Sequence, residues 1–255
     1  MTPRLHLPTL DMQTERAQLD RDASRYLTRV LRLGVGARVL LMDGRENARF
    51  GVIDSLGDKG SGDGVELRLM ERVSTRPEPP LELTLVQGLL KGSNFELVIQ
   101  KAAELGAARV IPLISERVIK RPDAKRVGNQ LERWRRIATE AMEQCGRGRL
   151  MEITEPSDWK GLAALLDDGL RLIPWEESAD GAAPTLGELA RTLETAPQSV
   201  TLIIGPEGGF PAHEVARAQQ ELQAQPVRLG PRILRAETAA ISAVTLALGV
   251  WGDLL

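Results

Sequence analysis

Cysteine is almost missing from this chain. Cys145 is the only one in 255 residues, so no disulfide can form within it. His6 and His213 are the only histidines. Too few ligands remain for a zinc site, and neither histidine stands near a nucleophile-elbow pattern, so metal and Ser-His-acid chemistry are not expected. Aromatic residues make up 3% of the sequence, and aliphatic side chains must build the core. No apolar run reaches about 18 residues, which excludes a membrane-spanning helix. The opening "MTPRLHLPTL" lacks the order of a secretory signal, charge followed by an apolar stretch. These absences lead us to expect a soluble, cytoplasmic protein. Two nucleotide signatures are also missing. There is no G-x-x-x-x-G-K-[ST], and Gly205, Gly208 and Gly209 have the wrong spacing for G-x-G-x-x-G.

The charge that is present is unevenly placed. The net value is −2, but residues 1–75 carry +1, residues 76–150 carry +5 and residues 151–255 carry −8. Between 117 and 136 stand Arg117, Lys120, Arg121, Lys125, Arg126, Arg133, Arg135 and Arg136, against Asp123 and Glu132. A local basic surface can hold phosphates in a chain with an acidic total, although a solvated helix face would look the same.

Two patterns divide the chain. Residues 1–73 read as strands with one helix. "ARVLLMDG" and "ARFGVIDSL" flank the hairpin signal "DGREN", and "GVELRLMERV" alternates like a further strand. In "ASRYLTRVLRLG" the spacing of Tyr26, Val30 and Leu33 predicts one helical face. Three prolines at positions 77–80 then mark a boundary. From residue 81 onward strands alternate with helices. "LELTLVQG", "ARVIPLI", "LRLIP", "SVTLII" and "VRLG" are the expected strands. Ser93 with Glu96, and Thr185 with Glu188, have the spacing of capping boxes, and Pro211 suits a first helical turn. Leu131, Trp134, Ile137, Ala138, Ala141, Met142 and Cys145 form one helical stripe, on which Cys145 is packing. The last helix has apolar Ile241, Val244, Leu246, Leu248, Val250 and Trp251 on nearly every side, which predicts burial in a core or against another subunit. Alternation of this kind implies an α/β fold with a mostly parallel sheet and helices on both faces.

Three strand ends share a form. They are Pro174-Trp175-Glu176, "IIGPEGGF" at 203–210, and "LGPRILRAETAA" at 229–240. Each alone is a strand, a tight turn and a helix. Together they are expected at one sheet edge, where ligands of such folds bind. The loops offer apolar residues, backbone groups and carboxylates. That set suits a heterocyclic, neutral or cationic ligand, and S-adenosylmethionine matches it.

These loops, together with "FELVIQKAAELG", "SERV" and "EQCGRGRL", resemble the RsmE family of the SPOUT class, which methylates N3 of a uridine in 16S ribosomal RNA. The resemblance covers the whole chain. It implies a PUA-like β-barrel RNA-binding domain at 1–73 and a SPOUT methyltransferase domain with a trefoil knot at 74–255. It also implies S-adenosylmethionine as cofactor, 16S ribosomal RNA or the small subunit as partner, and a homodimer formed through the knot with each site completed by the partner. By the same resemblance, cofactor contacts fall on Leu172, Pro174, Ile204, Gly205, Glu207, Gly208, Leu229, Gly230, Ile233, Leu234 and Thr238. Arg235 is the first candidate to stabilise a uracil anion, with an ion pair to Glu237 or another acid as its alternative. Glu207 contacts the cofactor, assists a proton or caps a turn. Arg4, Arg29, Arg32, Lys91, Arg117 and Arg147 are the RNA candidates, any of which could be an ordinary surface charge. Arg29 and Arg32, three apart, are expected to share a helix face. Two rivals remain at this point: a methyltransferase for another RNA site, such as a ribose 2′-OH, and a non-catalytic RNA-binding factor.

Overall fold

The computed structural model describes residues 2–57, 64–118, 127–175 and 183–255. The chain divides into two compact units. The first comprises Met1–Glu78 and Met142–Leu150, and the second Pro79–Ala141 and Met151–Leu255. The sequence places one boundary after residue 73. The structure instead has a first unit of two pieces.

The first unit contains β1 (Arg4–His6), β2 (Arg16–Gln18), α1 (Arg21–Arg25), β3 (Arg38–Met42), β4 (Asn47–Ser55) and β5 (Glu66–Ser74). The strands form a five-stranded sheet in the order β1-β3-β4-β5-β2. β1 runs parallel to β3, and the remaining pairs are antiparallel. The expected hairpin joins β3 to β4. Asp43 holds its turn by accepting the backbone N–H groups of Arg45 (2.7 Å) and Asn47 (3.1 Å). Leu27, Val39, Leu41, Ile53 and Leu67 fill the core beneath.

The helix of this unit departs from expectation. After α1 the backbone turns into a π-helix, Tyr26–Val30, in which Leu31 N–H bonds Tyr26 O. The wider turn moves the inward position to Leu27 and leaves Val30 exposed. Arg32 lies beyond the helix with φ +55°, so the shared face expected for Arg29 and Arg32 does not exist.

The second unit is a six-stranded sheet. Its strands are β6 (Glu82–Gly88), β7 (Arg109–Leu113), β8 (Glu152–Ile153), β9 (Leu170–Pro174), β10 (Ser199–Ile204) and β11 (Gln225–Val227). They lie in the order β11-β9-β10-β6-β7-β8, and every pairing is parallel. The central strands are apolar runs buried along nearly their whole length, as a sheet covered on both faces requires. Around the sheet lie α2 (Asn94–Leu105), α3 (Val127–Cys145, whose last turn belongs to the first unit), α4 (Trp159–Leu162), α5 (Leu186–Thr192), α6 (Ala212–Leu222) and α7 (Ala236–Trp251). Val86, Ile111, Ile173, Ile203, Val215 and Leu222 belong to one core cluster on the sheet. Burying each such side chain contributes about 1.5–3 kcal/mol.

The Thr185–Glu188 capping box forms with both of its hydrogen bonds. The Ser93–Glu96 box does not. Ser93 already has helical dihedrals and its hydroxyl caps nothing, while Glu96 pairs with Arg133 at 2.8 Å. Pro211 is the N-cap of α6 rather than part of its first turn. On α7, Ala240, Val244, Ala247 and Leu248 are buried, whereas Leu246 and Val250 are exposed. Among the described residues no helix is long and apolar enough to cross a membrane.

Candidate active site

Because β11, β9 and β10 are parallel neighbours, the loops that follow them leave the same sheet edge. The loops after β9 and β11 line an open cleft. Pro174 and Trp175 form one wall, and Arg228, Leu229, Gly230, Pro231, Arg232, Ile233 and Leu234 the other, with Ala239 of α7 behind. Gly230 has φ +116°, a conformation that side-chain-bearing residues rarely adopt, and an added Cβ would meet nothing within 4 Å. The glycine is therefore required by backbone shape and not by crowding. Ile233, an apolar side chain at the cleft, is 82% exposed. The indole N–H of Trp175 is buried without an acceptor among the described residues.

The "GPEGG" turn stands beside these walls and is gripped from several directions. Gly209 N–H closes the turn on Pro206 O at 2.9 Å. Gln87, fully buried at the end of β6, donates its Nε2 to Gly205 O at 3.1 Å. Arg117 Nη1 donates to Gly208 O at 2.8 Å. Phe210 packs edge-on against Trp159, ring centres 5.4 Å apart. Glu207 Oε1 accepts the backbone N–H of Lys91 at 2.7 Å. Of the roles open to Glu207, this contact is a turn cap, made to the 88–93 segment and not to its own loop.

Of the expected cofactor residues, Pro174, Leu229, Gly230, Ile233 and Leu234 line the cleft together. Leu172 and Ile204 are strand residues whose side chains are buried, so only their backbone is available. Gly205, Glu207 and Gly208 belong to the neighbouring turn, and Thr238 is exposed on the first turn of α7 without lining the cleft. The carboxylates expected to face a cation are not among the described residues that line the cleft. Of the charged residues described, Arg228 and Arg232 line it and no acid does. Glu207 is engaged elsewhere, and Glu176 lies outside the described residues.

The residues present fit S-adenosylmethionine in a different way. The apolar walls suit an adenine, the glycine turn offers backbone groups, and the arginines complement the carboxylate of the methionine moiety.

Comparison with known proteins matches residues 77–248 to an RNA methyltransferase domain and residues 19–65 to an RNA methyltransferase PUA domain. The chain belongs to the RNA methyltransferase family. A curated relative, ribosomal RNA small subunit methyltransferase E of Synechocystis, is 37% identical over 84% of this chain and 66% of its own length. A methyltransferase of Legionella pneumophila, solved in complex with the cofactor SAM, is 31% identical with a TM-score of 0.89, both chains fully covered. The Neisseria gonorrhoeae ribosomal RNA small subunit methyltransferase E bound to S-adenosyl methionine is 28% identical with a TM-score of 0.86, again over both full chains. The family found is the one that "IIGPEGGF" and "LGPRILRAETAA" resemble.

In this methyltransferase Arg235 is the exposed N-cap residue of α7, directly after cleft-lining Leu234. No ion pair to Glu237 or any other acid is formed among the described residues, so that alternative is not realised. The six RNA candidates separate. Arg29 and Arg32 are exposed, as is the Lys91 side chain. Arg117 is exposed but spends one donor on Gly208. Arg4 donates to Glu143 O (3.0 Å) and Gln144 O (2.7 Å), capping the last turn of α3. Arg147 is only 6% exposed and donates Nε and Nη2 to Glu78 Oε2. Arg4 and Arg147 are thus held by the fold. Of the basic segment, Lys120, Arg121, Asp123, Lys125 and Arg126 lie outside the described residues.

Sequence reasoning missed Trp175, Arg228 and Arg232 as walls, and Gln87 as an anchor. Gln87 had a readable signal, since it is a polar residue in a strand otherwise buried on both faces.

Proposed function

We propose that this protein transfers the methyl group of S-adenosylmethionine to N3 of a uridine in 16S ribosomal RNA. The observation that carries the reading is the cleft at the ends of β9 and β11, with Arg235, which forms no ion pair among the described residues, directly after cleft-lining Leu234. When bound, the cofactor supplies an electrophilic methyl carbon on sulfur.

Uridine N3 lies on the Watson–Crick edge, so the base must leave its pair before it can react. N3 also carries a proton that must depart, and the charge left behind spreads onto the flanking carbonyl oxygens. Arg235 stays cationic at any working pH and offers donors in a fixed fork that suits those oxygens. It stands at the N-terminus of a 16-residue helix that has no side-chain cap, where the helix dipole adds positive potential. Together they lower the cost of forming the anion, and the proton passes to solvent. Glu207, held by Lys91 N–H, keeps the neighbouring turn in place and serves no base role in this scheme.

The test is methylation of small-subunit RNA from a strain lacking the enzyme, with nucleosides read by mass spectrometry. The product expected is 3-methyluridine. A methylated ribose or another base would sink the assignment. Arg235→Ala is expected to lower kcat about 100-fold, in the range of a lost charge-stabilising donor, with cofactor affinity unchanged.

The same reading includes a trefoil knot in the second unit, a homodimer and a cytoplasmic setting. Leu246 and Val250 support the dimer as exposed apolar positions on α7, the residue type a second copy would cover. Light scattering would decide it, and a monomer at micromolar concentration would remove the dimer. Stretching the chain from both ends would test the knot, which, once tightened, leaves the chain shorter than its contour length.

A further inference from the structure

Glu214 is a charged residue in an unexpected place. It sits in the first turn of α6 and is 4% exposed. Its Oε1 accepts two hydrogen bonds, from the backbone N–H of Glu116 at 2.9 Å and from the indole Nε1 of Trp159 at 2.6 Å. Its Oε2 is buried with no partner among the described residues, and so is the hydroxyl of Ser115 next to Glu116. A carboxylate half satisfied in this way is a poor source of stability, because desolvation offsets much of what its bonds return. Its value must be sought in what the bonded oxygen holds.

Both donors lead to the same loop. Trp159 packs its ring against Phe210. Glu116 is followed by Arg117, which bonds Gly208 O, and an added Cβ at Gly208 would stand 3.2 Å from the Cβ of Arg117. One oxygen therefore fixes the two groups that grip the turn at Gly208 and at Phe210. The remaining anchors, Gln87 at Gly205 and Lys91 N–H at Glu207, hold its other side.

We infer that Glu214 is a positioning residue for the 205–210 loop, fixing Trp159 and Arg117 so that the loop keeps the shape in which it meets the methyl donor. The inference rests on the cofactor reading given above. Glu214 itself touches no reacting atom. Its carboxylate is needed as an acceptor and not as a charge, so glutamine should replace it and alanine should not.

The test uses the full chain and two readouts. Amide hydrogen exchange measured without ligand reports the loop alone. Glu214→Ala should speed exchange about ten-fold or more within 205–210 while the central strands β6 and β7 stay protected. Calorimetry with S-adenosylhomocysteine reports the consequence. Glu214→Ala and Arg117→Ala should each weaken binding, Glu214→Gln should bind within about two-fold of the wild type, and the double alanine variant should bind no more weakly than Glu214→Ala. Losses that multiply in the double variant, or a loosened loop with unchanged affinity, overturn the proposal. If Glu214→Ala does not fold, Trp159→Phe and Arg117→Ala decide it, and wild-type exchange in both overturns it. A wild-type chain that binds no S-adenosylhomocysteine is a different failure. It removes the cofactor reading while the exchange result still stands.

Discussion

A guanidinium buried against a carboxylate is costly to break from either side. Arg147 and Glu78 are such a pair, and Glu78 Oε1 also accepts the backbone N–H of Arg149 at 3.2 Å. Removing one partner leaves the other charged in a dry place, so Arg147→Ala should destabilise the protein by about 3–5 kcal/mol in urea unfolding. A loss below about 1 kcal/mol would mean that the pair behaves as a surface contact. His6 supplies a second prediction at this scale. Burial lowers its pKa below the ordinary 6.5, outweighing the raising effects of the Asp43 carbonyl at 3.3 Å and the Asp43 charge. The fold therefore favours the neutral ring. As pH falls through 6.5, the unfolded chain takes up a proton that the folded chain resists, and stability is lost from there downward. Asp43 works lower on the scale. Burial raises its pKa, but hydrogen bonds from Asn47 and from the Arg45 and Asn47 amides outweigh that, and the net value falls below 3.8. Its contribution is present above 3.8 and is lost as pH falls below it. Urea midpoints should drop between about pH 7.5 and 5, and His6→Gln should flatten that drop.

At the scale of elements, two glycines at strand ends should respond differently to alanine. A Cβ on Gly88, the last residue of β6, would stand 2.6 Å from the backbone nitrogen of Pro206. Gly88→Ala must push the "GPEGG" turn away and should cost both stability and cofactor affinity. Gly230→Ala meets no atom and pays only for its positive φ, about 1–3 kcal/mol. Calorimetry beside thermal unfolding separates the two, and equal losses in both variants would refute the distinction. These elements also show what was legible beforehand. β6, β9 and β10 were readable because apolar runs bounded by glycine and proline have few other uses. The cleft walls at Pro174, Leu229, Gly230, Ile233 and Leu234 were readable through the family motif. The π-helix at Tyr26–Val30 was not, since its residues fit an α-helical period equally well and only packing of Leu27 decides. Ser93 looked like a cap, but cap spacing says nothing about whether the backbone has already turned helical. Trp175 and the two cleft arginines were hidden because a wall is defined by what lies across from it.

For the whole molecule, charge placement matters more than the total of −2. Arginines that are free to meet phosphate should appear in the salt dependence of RNA binding. Removing one cation from a phosphate reduces the slope of log K against log salt by about 0.7–0.9. Arg29→Ala and Arg32→Ala should each reduce it. Arg4→Ala should not, because its guanidinium already serves the carbonyls of Glu143 and Gln144. A smaller slope for Arg4→Ala, with the fold intact, would show that this arginine meets phosphate after all.

The two-piece make-up of the first unit bears on how the protein is born. Its sheet strands are all synthesised by residue 74, yet Arg147, the ion partner of Glu78, and Met142, which packs on Met42 and Ala48, belong to a segment ending at Leu150. A nascent chain halted before that point holds a buried-acid site without its cation. The N-terminal unit therefore cannot finish folding in the order in which it is translated, and must wait while β6, α2 and β7 of the other unit leave the ribosome. A fragment cut after residue 78 would inherit the same deficit permanently.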